Sequence, residues 1–378
     1  MKVLLVAPLP PPIGGIQSVT ETMVGFVSEH PCGVNLKVQD TSHHIRPVTS
    51  ESMFVRLLTG MFNSLQTYFQ VRKNLQKERP DLIHLASSAS LAMIKDILIV
   101  RTARRRGVPV VMHWHFGRIP RLKEKQNWEW NLLIKLIRES AWSIVLDEKS
   151  VEVLNEAGCT NVSCIPNPIA QEVEVKAREL SKNSVFRHPG RIIFVGHVIK
   201  DKGIYELAEA CVKLPQVKEL LLIGPYEEAI RKDLERIARK REAGQWLLFE
   251  GQQNKEQVLD NMAQSPILAL PSYTEGFPMV ILEAMAMGCA VIAAEVGAVS
   301  TMLAANTHSA CGVCIPPKNV DQLQGAIADL MRKPSVMELY GSRGRQRVLG
   351  AYSVENVFTQ YKNCWQTIIS NITSGLLF

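Results

Sequence analysis

Short apolar runs that suit buried parallel strands recur along this chain, and each is followed by a longer segment with helical periodicity. The alternation predicts an α/β fold of doubly wound parallel sheets covered by helices on both faces. The runs fall at Lys2 to Ala7, Asp81 to Ala86, Pro109 to His115 and Trp142 to Leu146. The pattern restarts at Arg191 to Gly196 and continues at Glu219 to Ile223, Trp246 to Phe249, Pro266 to Leu270 and Ala290 to Ala293. Between the two series, Cys164-Ile-Pro-Asn-Pro168 reads as a hinge, and residues 170 to 189 are polar, charged and free of strand-like runs, as an interdomain linker would be. The expected organisation is a first domain over 1–168, a linker over 169–190, a second domain over 191–353 and a closing helical segment over 354–378. Ligands of doubly wound sheets bind outside the carboxyl ends of the strands, so two such edges facing each other would frame one central cleft.

A length of 378 residues suits two moderate domains, each with its own core. Hydrophobic content of 46% with 21% charged residues is that of a globular protein and argues against disorder. Met1 to Ala7 is too short an apolar core for a signal peptide, and prolines follow at once. No apolar run approaches the roughly 18 residues that suggest a membrane span. Eight irregularly placed cysteines suggest a reducing cytoplasm, and Cys311-Gly-Val-Cys314 has no second pair to make a metal site.

The net charge of +7 is concentrated in the first half, at Arg101, Arg104, Arg105, Arg106, Arg118, Arg121, Lys123 and Lys125. Trp128 to Arg138, which follows, is amphipathic and aromatic-rich. Two readings stand for it: a helix resting on the anionic inner face of a cell membrane, or an ordinary helix packing its Leu/Ile stripe on the sheet. Nucleic acid is not an expected partner, because no binding motif accompanies the basic residues.

The most telling local pattern is Pro271-Ser-Tyr-Thr-Glu-Gly-Phe-Pro-Met-Val-Ile-Leu-Glu283, which places Glu275 and Glu283 around a Gly-Phe-Pro turn. Pro278 suits the first position of a helix that runs through Met279 to Met287 and stops at Gly288. Free N–H groups at that helix start, facing the carboxyl end of a strand, favour a phosphate or polar ligand. Glu283 falls inside an otherwise apolar helix and needs a partner. The two hydroxyls of a ribose suit one carboxylate.

This segment resembles the Glu-x7-Glu motif of the retaining family-4 glycosyltransferases, which have two facing Rossmann-like domains, the GT-B fold. The resemblance implies that Glu283 grips the donor ribose and Glu275 contacts the donor sugar. It extends the donor site to Gly276, Phe277, Pro278, Met279 and Val280, and to Gly14 and Gly15 in the glycine loop after the first strand. Phe194-Val-Gly196-His197-Val-Ile-Lys-Asp-Lys202-Gly203 is similar to the family's Gly-Arg-x4-Lys-Gly segment, whose cations neutralise the diphosphate. Lys202 matches, and His197 stands in place of Arg, without its bidentate fork. His115, before Phe116-Gly117, matches the family's catalytic His; His113, on the same strand face, is the alternative. His84 is expected to be a hydrogen-bonded core residue. The last helix, over about 354 to 372, is expected to cross back onto the first domain.

The implied activity is metal-independent, retaining transfer of a sugar from a nucleotide donor, a UDP- or GDP-sugar, to a glycan or lipid-linked acceptor in cell-surface polysaccharide synthesis. Catalysis is assigned to His115, Glu275 and Lys202, with no cofactor and no metal. The alternatives are a sugar-nucleotide epimerase or phosphorylase of the same plan, and, given His197, a non-catalytic sugar-nucleotide-binding scaffold subunit.

Overall fold

The computed structural model describes residues 1–11, 14–42, 53–183, 185–241 and 244–374, with 53–58 and 61 as backbone only. Pro12 and Ile13 of the glycine loop lie outside the described residues. The chain divides into two compact units, one of Met1–Pro168 with Val354–Phe378, the other of Ile169–Ser353.

The first unit runs β1 (Lys2–Ala7), α1 (Gly15–Glu29), β2 (Asn35–Asp40), α2 (Met53–Lys77), β3 (Leu82–Ser87), α3 (Ala92–Arg104), β4 (Val110–Trp114), α4 (Ile119–Lys125), α5 (Trp128–Glu139), β5 (Trp142–Val145), α6 (Glu148–Glu156) and β6 (Val162–Cys164). Its six strands form a parallel sheet in the order β2-β1-β3-β4-β5-β6. Every residue of β4 is buried, as a central strand covered on both faces requires.

The second unit runs α7 (Gln171–Leu180), β7 (Arg191–Val195), α8 (Ile204–Val212), β8 (Glu219–Ile223), α9 (Glu228–Ala238), β9 (Leu247–Gly251), α10 (Lys255–Ala263), β10 (Ile267–Leu270), α11 (Met279–Ala286), β11 (Ala290–Ala294), α12 (Val299–Met302), β12 (Gly312–Ile315), α13 (Val320–Arg332) and α14 (Pro334–Ala351). Its parallel sheet has the order β12-β11-β10-β7-β8-β9. The closing helix α15 (Val354–Thr373) belongs to the first unit. There Phe358 meets Phe26 of α1, ring centroids 5.2 Å apart.

Three strands escape the sequence pattern: β2, β6 and β12. All three are sheet edges. An edge strand has only one neighbour to satisfy and tolerates polar side chains, so β2 reads Asn-Leu-Lys-Val-Gln-Asp with no fully buried residue. The expected linker also needs correction. Residues 171–180 form α7, and Val173 and Ala177, four positions apart, are wholly buried in the second unit's core. Val173 and Ala177, the two fully buried residues of a helix rich in charge, made too narrow a stripe to stand out.

Candidate active site

In the second unit the chain leaves β7 toward β8 on one side and returns through β10 and β11 on the other, so β7 and β10 flank the switch point of the sheet. Their carboxyl ends deliver Gly196 to Lys202 and Pro271 to Glu275. Two backbone contacts draw these loops together. Gly203 has φ +70°, and a Cβ there would lie 2.1 Å from the Pro271 carbonyl oxygen, so only glycine permits the approach. The Tyr273 N–H donates to the Asp201 carbonyl at 2.8 Å. The outcome is a direct contact of Lys202 Nζ with Glu275 Oε1 at 2.5 Å, both side chains mostly buried. His197 lies exposed on the same β7 loop.

The Glu275-Gly276 turn is braced from the loop after β11. Gly297, φ +54°, sits so close that a Cβ would be 2.4 Å from both the Glu275 and Gly276 carbonyls, and the Ala298 N–H donates to the Gly276 carbonyl at 2.9 Å. Phe277 packs near Tyr352, with ring centroids 6.0 Å apart. Pro278 is the N-cap of α11 rather than its first residue, so the helix begins one position later than expected. No side chain caps that start, which leaves the N–H groups of Met279 and Val280 without a capping side chain. The far end is pinned by Gly288 in the left-handed conformation, with Cys289 N–H bonded to the Ala284 carbonyl. Arg345 and Arg187 donate to the last carbonyls, Ala286 and Met287.

Glu283, a turn and a half into α11, has a side chain only 15% exposed and pairs with Lys255. The need for a partner is met here by a lysine that the sequence reading missed. A signal for it exists: Asn254 and Gln257 form a capping box, which makes Lys255 the first residue of α10, just beyond the carboxyl end of β9. Each glutamate of the pair is thus matched with one lysine from another strand end of the same sheet, Lys202 after β7 and Lys255 after β9.

In the first unit, β1 and β3 flank the corresponding switch point. Gly14 is the N-cap of α1 with extended backbone, and no side chain caps the start at Gly15. His115 follows β4. Its ring lies 3.8 Å, centroid to centroid, from that of His113. The two differ in setting: His113 is buried, whereas His115 is half-buried, with a buried Nδ1 that has no partner. His84 is a hydrogen-bonded core residue. The Trp365 indole N–H donates to its Nδ1 at 3.1 Å, and its Nε2 faces His113 Nδ1 at 3.1 Å. Because the indole is only a donor, neutral His84 holds its proton on Nε2 and gives it to His113. His113 then carries its own proton on Nε2, buried without a partner. Burial pushes the pKa of His84 and of His115 down to about 3, with the neighbouring His115 adding to the effect on His84, and burial also drives His113 well down.

In the second unit the structure places Gly196, His197 and Lys202 after β7, and Glu275, Gly276, Phe277, Pro278, Met279, Val280 and Glu283 after β10, with Lys202 and Glu275 in direct contact. Gly14, Gly15, His113 and His115 lie in the first. The amphipathic segment 128–138 forms α5 and packs its stripe inward: Leu133, Leu136 and Ile137 are fully buried, and Trp128 alone of its large apolar residues is strongly exposed. Among the described residues no helix is long and apolar enough to cross a membrane.

Residues 176–347 match the family described as Glycosyl transferases group 1, and residues 22–173 match Glycosyltransferase Family 4. The chain is 25% identical over 295 residues to the putative teichuronic acid biosynthesis glycosyltransferase TuaC of Bacillus subtilis, covering 72% of this chain and 69% of that one. It is 23% identical to sulfoquinovosyl transferase SQD2 of Arabidopsis thaliana over 73% of this chain, and spans about half, 55%, of that protein. In fold it is similar to sucrose-phosphate synthase from Thermosynechococcus elongatus, with a TM-score of 0.73, 18% identity and coverage of 98% and 99% of the two chains. It is also similar to Anabaena Alr3699/HepE, crystallised with UDP, with a TM-score of 0.70, 16% identity and coverage of 97% and 100%.

Proposed function

We propose that this chain, a glycosyltransferase of GT-B fold, moves a sugar from a nucleoside-diphosphate donor to a glycan or lipid-linked acceptor with retention of configuration. The observation that carries the reading is the Lys202–Glu275 contact at the β7/β10 switch point, beside the uncapped start of α11. Bond breaking at the anomeric carbon leaves negative charge on the diphosphate and positive charge on the sugar. Fixed cations and helix-start N–H groups stabilise the first, and a carboxylate stabilises the second.

With no ligand, Lys202 is neutralised by Glu275. An arriving diphosphate takes over the ammonium and frees the carboxylate for the sugar hydroxyls. Glu283 exchanges Lys255 for the ribose, or holds both. The C1–O bond to phosphate breaks, the acceptor oxygen bonds to C1 from the same face, and the acceptor proton passes to the leaving phosphate. His115, at the end of β4, is assigned to the transferred sugar. The chain's likeness to a protein solved with UDP and to the teichuronic acid relative favours a UDP-sugar and a cell-surface polysaccharide as the first candidates.

The test is thermal stabilisation of the purified protein by UDP, GDP, ADP, TDP and CMP, followed by anomer analysis of the product made from the matching donor. Selective stabilisation by one diphosphate and a retained anomer support the reading. An inverted product, or no response to any nucleotide, removes it.

A further inference from the structure

Two neighbouring helices of the first unit leave an apolar face uncovered. On α2, Phe62, Leu65 and Phe69 are 69%, 48% and 58% exposed, and at the start of α3, Leu91, Ile94 and Leu98 are 56%, 53% and 41% exposed. Spacings of three and four put each trio on one helical face. The helices are joined side by side, with Tyr68 Oη 3.1 Å from Thr102 Oγ1.

The same two faces turn basic farther along. Arg72 and Lys73 continue the face of α2, and Arg101 and Arg105 that of α3. Arg101 is held by Glu139, and no carboxylate pairs with Arg72, Lys73 or Arg105 among the described residues. Acidic residues are missing from the faces themselves. The α2 sequence has none, and the single one in α3, Asp96, is buried and accepts from Ser87. In a parallel β-α-β sheet the crossover helices start at the carboxyl ends of the strands, so the apolar start of α3 lies at the edge that carries Gly15 and His115, whereas Phe62 to Phe69 occupy the middle of α2.

We propose that this α2–α3 face docks on an anionic lipid bilayer. Interfacial helices lie along the bilayer plane and bury an apolar face roughly 5–10 Å deep, which suits apolar side chains spread over two adjoining helices. The exposed apolar side chains enter the headgroup boundary, and Arg72, Lys73 and Arg105 beside them meet lipid phosphates. A second copy of the chain fits less well, because a two-fold contact sets this face against itself, with Arg72, Lys73 and Arg105 facing like charges and only Glu139, already held by Arg101, as a carboxylate. The stripe of α5, buried in the core, does not contribute. Docking rests on this face alone; that the docked chain meets lipid-linked acceptors rests on the proposed sugar transfer.

The experiment is co-sedimentation of the full chain with phosphatidylcholine vesicles, with and without phosphatidylglycerol, in the absence of any nucleotide. The protein is expected to bind the phosphatidylglycerol vesicles, more weakly as salt rises, and to ignore phosphatidylcholine alone. Replacing Phe62, Phe69 and Ile94 by Ser abolishes binding, and Arg72→Ala with Lys73→Ala weakens it roughly 30-fold, at about fivefold per basic residue near the surface. All five side chains are exposed, so an unchanged thermal midpoint shows that the variants fold. Equal partition to both vesicle types, or variants that bind like the parent, overturns the proposal. So does a parent that forms dimers, ignores vesicles and becomes monomeric when the three apolar residues are replaced. Nucleotide stabilisation is read separately, so either idea can fail alone.

Discussion

The Trp365 indole N–H donates to His84 Nδ1 at 3.1 Å, joining residues 281 positions apart. That single donor sets the proton positions of a buried histidine pair, His84 and then His113. In the ¹⁵N spectra of the histidine rings, both residues are therefore expected as Nε2–H tautomers at neutral pH. A His113 ring protonated on Nδ1 contradicts the chain of donors. Trp365→Phe removes the first donor and leaves a buried acceptor unpaired, at a cost of roughly 1–3 kcal/mol, read from urea unfolding.

The same histidines make the fold acid-sensitive. His84 is held neutral with its pKa near 3, far below its ordinary value of 6.5, mainly by burial. Between those values the unfolded chain binds a proton that the folded chain refuses, so stability rises with pH across this window. The contribution is complete above about 6.5 and is lost as pH falls toward 3. Unfolding free energy should drop steadily below pH 6.5, and the drop should be shallower in a His84→Gln variant. A slope identical in both proteins assigns the acid sensitivity to other groups.

The two glutamates are expected to separate binding from turnover. Glu283→Ala weakens nucleotide binding, whereas Glu275→Ala leaves affinity little changed and slows transfer on the order of 100-fold through misplaced sugar. Calorimetry with the diphosphate and initial rates with the full donor give the two readouts. Unchanged diphosphate affinity in the Glu283 variant excludes the ribose role.

Gly203→Ala should do damage out of proportion to one methyl group. Its backbone has φ +70° and its new Cβ would meet the Pro271 carbonyl at 2.1 Å, so the β7 and β10 loops must part. Strain of this kind costs of order 1–3 kcal/mol, and it pulls Lys202 from Glu275. The variant is expected to have a lowered thermal midpoint and a weakened diphosphate response; Gly244→Ala, with open space around it, is the control.

Transfer is expected to persist after dialysis against EDTA, because Lys202 and the α11 start are assigned to the leaving phosphate. Activity that disappears with the chelator and returns with a divalent cation reassigns that charge.

Local order carried much of this protein in its sequence. Strands buried on both faces announce themselves as apolar runs, and the Glu275-to-Glu283 spacing, with Lys202 after an earlier strand, marks a strand-end site before any contact is known. These patterns depend on neighbours in the chain, and the chain order states them. Tertiary structure decided the rest. Edge strands β2, β6 and β12 are recognised only by the partner they join. Lys255 becomes relevant because β9 and β10 lie in one sheet on either side of β7 and β8. His113 and His115 look alike in sequence, and they differ because α15, far along the chain, brings Trp365 to His84 and buries one ring more deeply than the other. The helices tell the same story: α5 has the more conspicuous amphipathic pattern but spends its apolar face on the core, while α2 and α3 keep apolar residues outside. A periodic stripe shows that a helix has an apolar face. Only the packing of the whole unit determines whether protein covers it.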